Sequence, residues 1–134
     1  MKKTLLLLLS APLLLAGCAT YYLSTDSLVQ QMADTQPERK YIYTPATLFI
    51  PFSVEGNSLH QLKCLDKHGK ETTIDVDNRT SVRITLADSS RKTFYFNTLL
   101  LQDSTITGSK THFFEMHIKP IRLRDVAKIE VQKD

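Results

Sequence analysis

Along most of the chain, apolar and polar residues alternate with a period of two, the pattern of half-buried strands. The clearest run places Val82, Ile84 and Leu86 on one side, with Arg83 and Thr85 on the other. Leu62 to Leu65 and Thr72 to Val76 flank Asp66-Lys67-His68-Gly69-Lys70, a hairpin signal in which Gly69 supplies positive φ. Leu48, Ile50, Phe52 and Val54 alternate with Phe49, Pro51 and Ser53, a strand that Pro51 assigns to an edge or a bulge, and Glu55-Gly56-Asn57 reads as the following turn. Strands are also expected over Thr93 to Leu101 and Thr105 to Thr107, punctuated by turns at Asp77-Asn78, Asp88-Ser89-Ser90, Asp103-Ser104 and Gly108. Near the C-terminus, Ile121-Arg122-Leu123 and Ile129-Glu130-Val131 form two short strands. Between them, Asp125 can cap one helical turn through Val126-Ala127-Lys128. One segment keeps a different period: Ser24 to Ala33, with Ser24 or Thr25 as cap, Asp26 at the positive end and a stripe of Leu28, Val29 and Met32. Asp34 to Lys40 is polar, contains Pro37 and reads as a connecting loop. The pattern predicts a mainly β protein, a small antiparallel barrel or sandwich with one short N-terminal helix packed on it.

The first residues follow a different logic. Lys2 and Lys3 precede an apolar run from Leu5 to Leu15 that is interrupted by Ser10, Ala11 and Pro12, and small residues follow. That is the layout of a secretory signal. The run is shorter than the roughly 20 apolar residues that a spanning helix needs. The last four of the first eighteen residues, Leu15-Ala16-Gly17-Cys18, resemble the lipobox of bacterial lipoproteins. The resemblance implies cleavage before Cys18, diacylation of its thiol and acylation of the new amine. More than one acyl chain, at about 0.8 kcal/mol per buried methylene, makes a stable anchor. The neutral Ala19, and the lack of an acidic run after it, imply by the same resemblance the periplasmic face of an outer membrane. The expected organisation is a signal peptide over 1–17, a lipidated tether over 18–23 and a single β-rich domain with an N-terminal helix over 24–134. Tyr21 and Tyr22 then either lie at the headgroup level or pack on the domain.

Composition narrows the function. Removing 17 of the 134 residues leaves 117, enough for one domain that needs neither metal nor disulfide to fold. Lys2 and Lys3 leave with the signal, so 15 basic side chains face 14 acidic ones, a formal balance of +1 that gives no electrostatic case for nucleic acid. Of the two cysteines, Cys18 is taken by lipid, and Cys64, alternating with Leu62, reads as a small core residue.

The mature chain resembles small bacterial lipoproteins with an N-terminal helix and a C-terminal β domain. The resemblance is carried by Lys63-Cys64-Leu65-Asp66-Lys67-His68-Gly69-Lys70, Phe94-Tyr95-Phe96-Asn97-Thr98-Leu99, Asp103-Ser104-Thr105-Ile106-Thr107-Gly108 and the closing segment from Ile121 to Val131. The closing segment from Ile121 to Val131 is also faintly similar to the end of Sm-like small barrels. Neither resemblance brings an activity with it.

Candidate chemistry is sparse. His112, Glu115 and His117 are metal-ligating types, yet on a strand His112 points away from the other two. Asp75 and Asp77 share a face but lack the later glycine and glutamate of a calcium loop. No serine sits on a Gly-x-Ser-x-Gly turn, and four glycines provide no phosphate loop. Lys119, Arg122, Arg124 and Lys128 give the C-terminal segment a basic side that suits anionic headgroups or an acidic partner. The leading expectation is a lipid-anchored, non-enzymatic binding or assembly module without a cofactor. Its partners would be the membrane, through the lipid on Cys18, and an envelope protein. A small envelope hydrolase built on His60, His68, His112 or His117 with Asp, Ser or Cys64 is the rival, and an immunity or inhibitor protein is a third reading.

Overall fold

The computed structural model describes residues 19–42, 52–112 and 116–133. In chain order these form β1 (Ala19–Leu23), α1 (Thr25–Met32), β2 (Glu38–Ile42), β3 (Phe52–Gly56), β4 (Gln61–Leu65) and β5 (Glu71–Asp75). There follow β6 (Ser81–Leu86), β7 (Arg91–Tyr95), β8 (Leu100–Gln102), β9 (Thr105–Thr107), β10 (Ile121–Arg122) and β11 (Val126–Lys133). Two single 3-10 turns, Phe96–Thr98 and Leu123–Asp125, sit between β7 and β8 and between β10 and β11. The strands make three sheets, ordered β5-β4-β1-β11-β6-β7, β10-β9-β8 and β2-β3, and every strand pairing is antiparallel. The fold class is therefore the expected mainly β one with a single short helix. Among the described residues the sheets stay open, as in a sandwich, and close no barrel.

Period-two patterning selects what is buried. Leu23, Leu62, Cys64, Ile74, Val82, Ile84, Phe94, Ile129 and Val131 point from the six-stranded sheet into one core. Leu28 and Met32 of α1 meet them there, together with Phe96, Leu99, Ile106, Ile118 and Ile121. Full burial of each such side chain contributes about 1.5–3 kcal/mol, so the core, not the eight-residue helix, sets stability. Ser24 caps that helix by accepting a hydrogen bond from the Ser27 amide at 3.1 Å.

Residues 19–23 correct the expected tether. They pair with β11 along the whole of β1, from Ala19 opposite Lys133 to Leu23 opposite Ile129, and lie between β4 and β11 inside the largest sheet. Leu23 is buried and Tyr21 packs against the core, which settles the position of that tyrosine. The alternation Thr20, Tyr21, Tyr22, Leu23 was too short to show that it belonged to a sheet. On the other side of β1 the ladder to β4 is a single pair, Tyr22 with Leu65. Where the two strands part, Gln31 of α1 stands in for a strand: its Oε1 accepts from the Lys63 amide and its Nε2 donates to the Lys63 carbonyl, both at 2.8 Å.

Several local expectations change as well. Glu38 to Lys40 belong to β2 because β3 offers them a partner strand, and Glu55 and Gly56 remain in β3. At Gly56 any Cβ would sit 1.8 Å from the Asn97 carbonyl oxygen, so glycine is required by close approach. Gly108 is likewise packed against the Phe94 ring, not placed in an open turn. Thr93 to Leu101 is broken by the 3-10 turn at Phe96–Thr98. The C-terminal turn falls at Leu123–Asp125, ending at Asp125 instead of starting after it, while Val126 to Lys128 are already strand. A bulge between Val126 and Lys128 lets Val126 join the core side beside Leu86. The β4–β5 hairpin is as expected, with Gly69 at φ 74°. Most of the expected strand around Leu48 and Ile50, Pro51 included, lies outside the described residues.

Asn57 fastens the β2–β3 hairpin to the rest. Its side chain is buried, donates from Nδ2 to the carbonyls of Phe96 (2.8 Å) and Leu99 (2.9 Å), and accepts at Oδ1 from the Leu59 amide (3.1 Å). Its own amide donates to the Asn97 carbonyl.

Candidate functional site

Cys18 lies outside the described residues. Its covalent neighbour Ala19 is the first residue of β1, at the same end of the sheet as Lys133. Lys133 donates to the Asp75 carbonyl and lies 4.0 Å from Asp77. Asp77 Oδ1 accepts from the amides of Arg79 (2.8 Å) and Thr80 (3.0 Å), which closes the turn between β5 and β6. Burial opposes ionisation of Asp77, but those bonds and the nearby Lys133 outweigh it and hold its carboxyl below the usual range. Asp75 and Asp77 thus serve a strand end and a turn, and no group of three metal-ligating side chains occurs among the described residues.

The histidines and Cys64 stand in different surroundings. His60 and His68 are exposed, whereas Cys64 is buried with its thiol 3.9 Å from the Leu62 carbonyl. Burial pushes that thiol up, away from a reactive thiolate. His112 is buried, stacks on Tyr95 with ring centres 4.0 Å apart, and its Nε2 meets Asn97 Oδ1 at 2.9 Å. Asn97 Nδ2 in turn donates to Asn78 Oδ1 at 2.9 Å. His117 is exposed and bridges to Ser109. Glu115 lies outside the described residues.

The four basic residues singled out from the sequence occupy separate places. Lys119 is exposed ahead of β10. Arg122 is tied to Asp125 at 2.8 Å. Arg124 projects from the 3-10 turn, so strand alternation does not align it with Arg122. Lys128 stands on the outward face of β11, 3.6 Å from Glu130 and 5.3 Å from the centre of the Tyr22 ring.

That outward face carries the most organised polar cluster. Register places Tyr22 opposite Glu130, Glu130 opposite Arg83, and Arg83 opposite Thr93 across four neighbouring strands. Arg83 and Glu130 are joined at 2.8 Å, with Glu130 almost wholly buried. The bond from Arg83 holds the Glu130 carboxyl below its usual range against the opposing effect of burial, and the same pairing raises Arg83. In the next row Lys128 lies opposite Thr85, and Thr85 opposite Arg91. Arg91, Arg83 and Gln31 carried no signal in the sequence, because only register reveals what stands beside them.

Beside Tyr22, the parting of β1 from β4 opens a groove of about 660 Å³. Leu65, Cys64, Lys63, Glu71 and Ser27 are among its lining residues. It gathers no acid–base pair at bonding distance. No helix among the described residues is long and apolar enough to cross a membrane. Comparison with family models, with curated proteins and with solved structures gives no match to this chain.

Proposed function

We propose that the chain is a lipid-anchored envelope lipoprotein, held through Cys18 at the periplasmic face of an outer membrane, whose single β domain is a non-enzymatic binding or assembly module. The observation that supports the reading is the meeting of two features. Leu15-Ala16-Gly17-Cys18 ends a short signal-like segment, and the folded sheet begins at the very next residue. A domain joined in this way is kept within a residue of its anchor. Its working surface is then a solid face of the sheet instead of a mobile arm. Cys18→Ala tests the anchoring: radiolabelled palmitate incorporation and detergent-phase partitioning should both be lost, with the precursor left uncleaved. A Cys18→Ala chain that is processed, labelled and partitioned like the natural one would refute it.

A further inference from the structure

Two exposed cations that the sequence keeps far apart, Arg91 and Lys128, are brought to one side of the six-stranded sheet. Both flank Thr85 in the pairing register, so their Cα atoms lie about 10 Å apart at the usual 4.7–4.9 Å strand spacing. The bulge at Val126–Lys128 fixes that register. Arg124 is exposed at the same end, where the Asp125 carbonyl accepts from the Ala87 amide and joins the 3-10 turn to the β6–β7 turn.

The acids around this surface are already engaged. Glu130 is taken by Arg83 and Lys128, Asp125 by Arg122, and Asp88 accepts from the Ser90 amide and hydroxyl. Among the described residues neither Arg91 nor Arg124 forms an ion pair. The positive charge at this end therefore exceeds what its own carboxylates balance, although the mature chain is close to neutral.

Position separates this surface from the anchor. Ala19 lies opposite Lys133, and Lys128 is five residues further along β11, about 17 Å away at 3.3–3.4 Å per residue. The screening length in physiological salt is about 8 Å, so headgroups at the Ala19 end exert little attraction there. Between the cations and the anchor the rows of this face hold Tyr22, Glu130, Arg83 and Thr93, then Thr20, Gln132, Ser81 and Tyr95; none is aliphatic, and the two rings are engaged, Tyr22 with Lys128 and Tyr95 with His112.

We propose that this outward face, carrying Arg91 and Lys128, together with the exposed turn at its end that carries Arg124, docks an acidic segment of a partner protein at a distance from the bilayer. The proposal rests on the anchored-module reading and names its partner class. It is tested with the full lipidated chain in neutral phosphatidylcholine nanodiscs and a fluorescent Glu/Asp-rich decapeptide as probe. Combined Arg91→Ala, Arg124→Ala and Lys128→Ala should weaken binding by about tenfold or more, with a marked salt dependence in the natural chain. Lys67→Ala, Lys70→Ala and Lys110→Ala, an equal loss of exposed charge elsewhere, should leave it unchanged. No binding by the natural chain, or equal loss in both triple variants, overturns the proposal. A second arm places a bimane label at Arg91→Cys or Lys133→Cys in phosphatidylglycerol discs with spin-labelled headgroups. Quenching at 133 alone supports the proposal, while equal quenching at 91 overturns it in favour of membrane contact. Palmitate labelling reports failure of the anchoring reading, and the peptide titration, repeated on the mature chain with Cys18→Ser in solution, reports failure of docking.

Discussion

Asn57→Asp exchanges one nitrogen for one oxygen at the joint between the β2–β3 hairpin and the core, and its effect should depend on pH. The amide Nδ2 serves two carbonyls, those of Phe96 and Leu99, and the site is closed to water. Asn57→Ala leaves the Leu99 carbonyl and the half-buried Leu59 amide unsatisfied, at about 1–3 kcal/mol each, while the Phe96 carbonyl keeps the Leu99 amide as its donor. A total near 2–4 kcal/mol follows, a large share of the 5–15 kcal/mol typical of a domain. In Asn57→Asp an ionised carboxylate would face the same two oxygens, so the folded-state pKa must rise above the ordinary value of about 3.9. For an acid raised in this way, the penalty is smallest below the unfolded-state pKa, where both states carry the proton and the carboxylic acid can still donate one bond. It grows as pH climbs through the folded-state value, by about 1.4 kcal/mol per unit of separation. Urea unfolding, followed by circular dichroism on the mature chain with Cys18→Ser, measures this at pH 4 and pH 7. With a slope of about 2 kcal/mol per molar urea, the midpoint of Asn57→Asp should fall by roughly 2 M at pH 7 and by clearly less at pH 4. An unchanged midpoint at pH 7, or the same deficit at both pH values, would refute the reasoning.

Deleting Ala19–Leu23 while keeping Cys18 joined to Ser24 removes a central strand, and should abolish the cooperative unfolding transition; a tether could be shortened without that loss. Gly56→Ala forces a Cβ into the Asn97 carbonyl and should lower the urea midpoint at least as far as Asn57→Ala, whereas Gly69→Ala, in open space at positive φ, should cost only about 1 kcal/mol. Because Glu130 ionises more readily in the folded state, its contribution is present above the ordinary carboxylate range and is lost as pH falls through its lower folded-state pKa. Glu130→Gln should therefore cost about 1–2 kcal/mol at pH 7 and flatten the acid side of the stability profile, and an unaltered profile would contradict the pairing with Arg83.

The parts of the fold visible in the sequence are those governed by neighbours in the chain. The β4–β5 hairpin follows from Gly69 and its polar flanks, β6 from strict alternation, and α1 from Ser24 and a short apolar stripe. What escaped depends on partners distant along the chain. Ala19–Leu23 becomes a strand because β11, more than a hundred residues later, offers it a full ladder. The position of the 3-10 turn at Leu123–Asp125 is set by the bulge that brings Val126 into the core, which no local preference dictates. The candidate surface suffered in the same way. Lys128 and Arg124 could be read as basic residues close in sequence, but Arg91 joins them only once Thr85 stands between two strands. The Gln31 amide imitating a strand edge at Lys63 had no sequence signal at all.

The seating of β1 also has a mechanical side. Its ladder to β11 runs across the strand axis, so a pull applied at residue 18 along that axis loads the rungs together, in shear, instead of peeling them one by one. Traction on the amino terminus is thereby spread over the middle of the largest sheet, and the chain resists being drawn out of its own domain from the end where a loose leash would have yielded first.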